Sequence, residues 1–304
     1  MNLILTNYSG EIAALIAACL WAGSSMIFSL LGRQIRSAEL NLLKGVVAIV
    51  LMAAAIPLTG ESLTRIQPLA FWLLIISGVV GLGLGDTSYF ESLRMIGPRR
   101  ALLLTISAPP MTAILAALFL DEHLALTAWL GIAVTILGVA WVITEQTPLN
   151  GLKIEPSALR AGVLFATFSA LCQSVGAVLS RAALTMTDVT ALQSGLWRLL
   201  AGIVVLAAWV ALRKDKPFGW LKGSNPAKLW GMIFIATVFG TFLGIWLQQV
   251  AIQKASVGIA QTLLATSPLF ILPMAALSGE KLTARSVLGA LVAMAGIAML
   301  FGVV

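Results

Sequence analysis

Long apolar runs recur along this chain of 304 residues, and they constrain its fold more than any other feature. A helix needs about 20 predominantly apolar residues to cross the hydrocarbon core of a bilayer. Ten runs meet that length: 10–31, 38–58, 69–92, 101–120, 126–144, 159–180, 190–212, 229–251, 258–278 and 283–303. They predict an all-α polytopic membrane protein with ten transmembrane helices, whose outer surface faces the lipid bilayer.

The composition excludes the soluble classes of protein. Hydrophobic residues make up 60% of the chain and charged residues only 10%, whereas a soluble domain has roughly 25% charged residues. The net charge of +7 does not indicate a nucleic-acid partner, because the basic residues lie in short connections between apolar runs, as they do in membrane proteins. Cys19 and Cys172 lie inside apolar runs, which favours free buried thiols over a disulfide or a metal site.

The second half of the chain repeats the first. Residues 110–140 align with residues 268–298 at a constant offset, and Lys44 aligns with Arg198. A unit with an odd number of spans must insert its second copy upside down, an arrangement found in many secondary transporters. The alignment predicts two inverted five-helix repeats over residues 1–144 and 159–304, joined by a linker over residues 145–158.

The charges of the connections predict the orientation. Fourteen Lys and Arg residues lie in the odd-numbered connections and three in the even-numbered ones. Because cytoplasmic connections carry an excess of Lys and Arg, we expect the odd-numbered connections in the cytoplasm and both termini outside. The short connections fit the bacterial cytoplasmic (inner) membrane.

The repeated motif resembles the EamA family of the drug/metabolite transporter superfamily. The likeness rests on Pro110-x11-Glu122-x-Leu124-x6-Gly131-x6-Gly138 and on its copy Pro268-x11-Glu280-x-Leu282-x6-Gly289-x6-Gly296, together with Trp21, Lys44 and Arg198. The resemblance implies a ten-helix inverted-repeat carrier with a central cavity, usually one that exports small metabolites or amino acids. The motif says nothing about the substrate.

The charged residues inside the spans are candidates for function, because each costs about 2.5–3.5 kcal/mol at the middle of a transmembrane helix. Lys44 reaches either the membrane interface or an acid, and Asp86 and Glu91 lie on the same predicted side. A pair of Lys44 with either acid would neutralise both charges and form a gate. Asp86 and Glu91 are also the candidates for coupling transport to protons.

Arg198 differs from Lys44 because the second repeat offers no matching acid. Span 8 has Leu243 near the place that Asp86 holds in span 3. A buried guanidinium without a carboxylate binds carbonyls, water or an anionic ligand. Two readings stay open: Arg198 extends to the interface and contacts carbonyls, or it binds a carboxylate or phosphate of the substrate.

Polar residues line up on spans 1, 4, 6 and 9, and spans 1, 3, 7 and 8 carry aromatic residues that could form cavity walls. The residues expected to contact substrate are Trp21, Ser24, Ser25, Lys44, Tyr89, Gln173, Trp197, Arg198, Trp246, Gln261 and Thr266. Pro110 and Pro268 free a backbone carbonyl in their helices, so we predict hinges there. The alternative for each of these residues is ordinary helix packing in the membrane.

We interpret the remaining repeated residues and the single histidine as structural. The glycine pairs spaced by seven, Gly131 with Gly138 and Gly289 with Gly296, predict close packing of the last span of each repeat. Glu122 and Glu280 precede those spans and are expected to cap their N-termini. His123, the single histidine, lies in a surface turn without further metal ligands.

These features favour a secondary transporter that moves a small metabolite, such as an amino acid, by alternating access and in the direction of export. An intramembrane enzyme would need a catalytic or metal cluster within the spans, which the sequence lacks, so we expect no enzyme and no cofactor. A non-transporting sensor or partner subunit is the alternative. The expected partners are a small-molecule substrate and lipid; the oligomeric state stays open, with a homodimer as one option.

Overall fold

The computed structural model describes residues 8–31, 34–35, 37–61, 66–145, 155–212, 226–277 and 283–301. Within these ranges every regular element is helical. The first half comprises α1 (Ser9–Leu31), α2 (Ser37–Leu58), α3 (Pro68–Ser77), the π-helical segment π1 (Gly78–Gly85), α4 (Asp86–Thr105), α5 (Ala108–Phe119) and α6 (Leu126–Glu145). The second half comprises α7 (Pro156–Met186), α8 (Ala191–Leu212), α9 (Pro226–Ala236), the π-helical segment π2 (Thr237–Leu243), α10 (Gly244–Lys254), α11 (Val257–Leu264), α12 (Ser267–Leu277) and α13 (Ala284–Phe301).

Six helical segments of the described chain are long and apolar enough to cross a membrane. They are Ser9–Phe28, Glu39–Leu58, Pro68–Tyr89, Pro156–Met186, Ala191–Leu212 and Ala227–Lys254. Four shorter apolar helices accompany them: Ala108–Phe119, Leu126–Trp141, Val257–Ile271 and Val287–Leu300. Large apolar side chains such as Leu118, Leu164 and Val204 are exposed on the outer surface, as expected where lipid rather than water is the solvent.

The chain reverses direction between Ile96 and Ala108, although helical backbone continues through most of this stretch. Gly85 packs beside Cys172, and Ile96 packs beside Gly162, so π1 and α4 run antiparallel to α7. Ala108, however, lies back near the level of Gly85, because its carbonyl accepts a hydrogen bond of 2.9 Å from Ser174. The third and fourth apolar runs are therefore antiparallel neighbours, with the turn near the predicted connection.

The two halves pack through reciprocal contacts. In the first half, α3, π1 and α4 pack on α7, and π1 also packs on α8. In the second half, α9, π2 and α10 pack on α1, and π2 also packs on α2. Each half thus inserts its third run between the first two helices of the other half, as a pseudo-two-fold relation between them requires.

The last helices of the two halves, α6 and α13, form the closest helix pair. A Cβ atom at Gly138 would overlap the backbone of Ala293, and one at Gly296 would overlap the backbone of Thr135. The glycines therefore let the two backbones touch, as small residues do at helix interfaces in membranes. The predicted glycine stripe lies at this interface, between the halves.

We expect Gly138→Val to lower stability by about 1–3 kcal/mol, since overpacking of a tight interface costs that much. The measurement is the midpoint of thermal unfolding of the detergent-solubilised protein. Gly231→Val is the matched control, because a Cβ at Gly231 on α9 meets no atom within 4 Å. Equal effects of the two substitutions would contradict the packing role of Gly138.

Candidate functional site

A polar cavity lies between the two halves and has two adjoining compartments. Both are lined by Trp21, Gln173, Gln248 and Gln261, which form a shared wall. The charged compartment has a volume of about 210 Å³ and adds Lys44, Gly81, Leu82, Asp86, Arg198, Gly240, Thr241 and Ile245. The proline compartment has a volume of about 190 Å³ and adds Thr105, Ile106, Ala108, Pro109, Leu264, Ala265, Ser267 and Pro268.

The glycine-rich segment π1 explains how Arg198 reaches the cavity. A Cβ at Gly78 would overlap the backbone carbonyl of Arg198, and a Cβ at Gly202 would lie 2.7 Å from the Cβ of Leu82. The backbones of π1 and α8 therefore touch, which places the guanidinium beside Gly81. π1 ends immediately before Asp86. Single stretches of π-helix inside α-helices are frequent at functional sites.

Three charged side chains from three helices meet in the charged compartment: Lys44, Asp86 and Arg198. Asp86 interacts electrostatically with both cations, but within the described ranges no direct hydrogen bond or ion pair joins it to either one. The Lys44 ammonium lies over the Phe28 ring, 5.4 Å from its centroid. Arg198 is 4% exposed, and its Nε and Nη1 have no hydrogen-bond partner among the described residues.

The structure differs from the sequence-based expectation in that an acid lies near Arg198. The sequence suggested an acid for Lys44 and none for Arg198, because the second repeat has none. Since α8 packs on π1, the acid comes from the opposite repeat, and Asp86 faces both cations. Glu91, the other predicted gate residue, is half-buried on α4 and does not line the cavity.

Trp21 is fixed in the wall by π2. Its indole Nε1 donates a hydrogen bond of 2.8 Å to the carbonyl of Gly240. A Cβ at Gly244 would overlap the indole ring, so Gly244 makes room for Trp21, whereas a Cβ at Gly240 would overlap Ser24. The corresponding residue of the other half, Gln173, donates a hydrogen bond of 3.3 Å to the Ser169 hydroxyl.

Matching helix breaks form the proline compartment. One break separates α4 from α5, and the Ser107 hydroxyl donates to the Leu104 carbonyl at 2.6 Å. The other separates α11 from α12, and the Thr266 hydroxyl donates to the Leu263 carbonyl at 2.6 Å. Prolines follow in the first turn of the next helix, where they cost little. Pro268 lines the compartment, and Pro109 does so rather than the predicted Pro110.

Several other predicted substrate residues lie outside the cavity lining. Ser24 is buried against Gly240, and Ser25 is exposed and donates to the Ala22 carbonyl. Tyr89 is half-buried on α4. Thr266 is buried and uses its hydroxyl to cap the break.

The two tryptophans of this set pack against other rings. The Trp197 ring meets Phe71 edge-on at 5.2 Å between centroids, because adjacent residues on a helix point about 100° apart and Arg198 faces the cavity. The Trp246 ring stacks on Phe242 at 6.3 Å between centroids. Both rings therefore contribute to apolar packing.

Sequence reasoning missed the role of Gln248. Gln248 aligns with Glu91 between the repeats and was not among the expected substrate residues, whereas the structure places Gln248 in the shared wall. The available signal was a Gln248-Gln249 pair inside an apolar run. Gln249 points away from the cavity and accepts hydrogen bonds from Ser180 at 2.5 Å and Ser194 at 2.8 Å.

Comparison with known proteins is consistent with this architecture. Residues 8–144 and residues 160–302 each match the EamA-like transporter family. The chain belongs to that family. It is an all-helical membrane protein of a transporter family, with two copies of the family unit.

Individual relatives of this EamA-like chain agree with the family. An uncharacterized transporter, YyaM of Bacillus subtilis (strain 168), is 25% identical over 231 residues, which cover 76% of this chain and 73% of YyaM. A protein of known crystal structure has the same fold, with a TM-score of 0.80, 19% sequence identity and coverage of 96% of both chains.

A polar clasp ties the two halves of this EamA-like chain at one end of the cavity. Arg181 donates to Glu122 at 2.5 Å and to the carbonyls of Ile252 and Gln253 at 2.7 and 2.6 Å. Glu122 also accepts from the Val257 amide at 3.0 Å. Glu122 thus caps the start of α11, and the expectation that it caps α6 is wrong. Glu122 caps a helix of the other half because the start of α11 lies beside it in the folded protein. Glu280 lies outside the described residues.

We expect Trp21→Phe to destabilise the protein by about 1 kcal/mol, the net value of a typical hydrogen bond, because the Gly240 carbonyl loses its donor. Thermal unfolding in detergent measures this loss. Trp246→Phe is the matched control, since Trp246 stacks on Phe242 without holding a backbone carbonyl. A larger effect at Trp246 than at Trp21 would contradict the anchoring role.

Proposed function

We propose that this chain is a secondary transporter that exports a small metabolite, such as an amino acid, by alternating access. The observation that carries the proposal is the cavity between the halves. An interior lined by Lys44, Asp86, Arg198 and three glutamines is costly in an apolar protein. Such residues are retained inside membranes where they contact substrates or ions.

The proposed topology has ten transmembrane helices in two inverted five-helix repeats, residues 1–144 and 159–304, with residues 145–158 as the linker. The reciprocal contacts between the halves and the four shorter apolar helices support it. We assign the odd-numbered connections to the cytoplasm and both termini to the outside on the distribution of Lys and Arg. We assign the protein to the bacterial inner membrane on its short connections.

Alternating access requires each end of the cavity to open in turn. The clasp between Glu122 and Arg181 supports this mechanism, because it joins the halves at the end where α11 begins. The matching helix breaks support it as well, since interrupted helices beside a cavity are sites where a repeat can bend. Opening of the clasp end requires the ion pair to separate.

The decisive test of transport uses proteoliposomes loaded with a mixture of amino acids, small carboxylic acids, amines and nucleosides. Mass spectrometry measures which compound leaves faster than from protein-free liposomes. We expect saturable efflux of at least one compound, loss of it in Arg198→Gln, and retention in Arg160→Gln, which removes an exposed arginine at the start of α7. Efflux of no compound would favour a non-transporting sensor or partner subunit.

A second test addresses the clasp. The reporter is a single cysteine, Gln261→Cys, in a background without native cysteines (Cys19→Ser, Cys172→Ser). We expect Glu122→Gln to increase the rate at which an impermeant maleimide labels this cysteine from the side of the membrane that carries the clasp. Removing the charge weakens the bond to Arg181 and shifts the population toward the form that is open at this end.

Asp121→Asn is the control for the clasp experiment. Asp121 is adjacent in sequence and exposed, and among the described residues it pairs with His123 alone. An equal labelling rate in Glu122→Gln and the unmodified background would contradict the gating role of the clasp.

A further inference from the structure

The guanidinium of Arg198 is the least satisfied charged group of the cavity. Its side chain is almost fully buried, yet Nε and Nη1 find no acceptor among the described residues. A buried charged donor without a partner is costly. Arg198 lines the charged compartment, so an acceptor that enters that compartment and meets the guanidinium would complete the site.

The charges of the compartment define which acceptor fits. Lys44 and Arg198 carry two positive charges when ionised, and Asp86 carries one negative charge. The compartment therefore has an excess of one positive charge when all three groups are ionised. A singly charged anion balances this excess. A phosphate monoester, with about −1.5 to −2 charges at neutral pH, would leave excess negative charge beside Asp86.

A zwitterion or a cation fits less well. A zwitterion leaves the excess positive charge in place, and its ammonium would compete with Lys44 and Arg198 for Asp86. An amine adds a third cation to the compartment. A carboxylate, by contrast, has the planar shape that a guanidinium binds with two parallel hydrogen bonds.

We propose that the charged compartment binds a small monocarboxylate, whose carboxylate binds the Arg198 guanidinium while Asp86 interacts electrostatically with Lys44. The inference rests on the proposed function, since it names the substrate class of the same cavity, and it narrows the small metabolite to a carboxylate without the ammonium group of an amino acid. The rest of the ligand lies against the shared wall, where the amides of Gln173, Gln248 and Gln261 bind its polar atoms. The volume of about 210 Å³ limits the ligand to a small metabolite.

The test compares ligands that differ in charge on one skeleton. Isovalerate, isovaleramide, isobutylamine and valine form one series; phenylacetate, phenylacetamide, benzylamine and phenylglycine form another. Thermal shift and isothermal titration of the purified full chain measure binding. We expect a carboxylate to bind roughly tenfold or more tightly than its amide, given the strength of a charged hydrogen bond, and the amine and the zwitterion to bind more weakly than the carboxylate.

Substitutions of the three charged residues give effects of opposite sign. Arg198→Gln weakens carboxylate binding by roughly tenfold or more, and Lys44→Gln weakens it less. Asp86→Asn tightens it, because the repulsion between the two anions is removed, whereas it would weaken a zwitterion or an amine that uses Asp86. Arg160→Gln and Glu155→Gln are matched controls, since both residues are exposed and far from the cavity lining.

The outcomes separate this inference from the proposed function. The inference is overturned if amides bind as well as carboxylates in both series, if no carboxylate binds, or if Asp86→Asn weakens carboxylate binding. The midpoint of thermal unfolding without ligand identifies a variant that misfolds. The ligand series with the unmodified protein tests the preference for carboxylates without any variant. Efflux of amines or zwitterions alone would overturn the monocarboxylate while the transport proposal stands; efflux of no compound would overturn transport itself.

Discussion

The contact between each π-helical segment and the opposite half is the interaction on which the cavity depends. Gly81 of π1 and Gly176 of α7 meet almost backbone to backbone, since a Cβ at Gly176 would lie 3.0 Å from the Gly81 Cα. The Ser77 hydroxyl adds a hydrogen bond of 2.5 Å to the Gly176 carbonyl. On the other side, π2 receives Trp21. These contacts bring residues of both halves to one place, which neither half could build alone.

The duplication does not produce two equal sites, because the residues at equivalent positions differ in chemistry. Lys44 and Arg198 are equivalent cations, but Asp86 corresponds to the apolar Leu243, and Trp21 corresponds to Gln173. A symmetric backbone therefore encloses one off-centre acid between two cations. The asymmetry places two basic residues and one acid around the charged compartment.

Away from the charged compartment, many polar side chains of the described helices bond to each other or to the backbone. Thr112, Thr262 and Thr87 each donate to a carbonyl four residues earlier. Ser180 and Ser194 share the Gln249 carbonyl oxygen. In a medium without water such bonds remove the cost of burying hydroxyls and amides. Buried polar atoms without a partner also occur at Glu11, Ser92, Thr135, Thr237 and Gln249, but among these residues and Arg198 it is Arg198 that lines the charged compartment.

The sequence by itself determined the membrane class, the duplication and the family, because run length, composition and a repeated motif are local properties of the chain. It also identified Lys44, Asp86, Arg198, Trp21, Gln173 and Gln261, since polar residues in apolar runs are visible without a structure. Only the tertiary structure decided which of them share a cavity. Trp197 and Arg198 are adjacent in sequence but face different neighbours, and the acid near Arg198 comes from the other repeat. The partners of a side chain depend on which helices pack together, and that packing is set by contacts such as Gly78 with Arg198 and Glu122 with Arg181, between residues far apart along the chain.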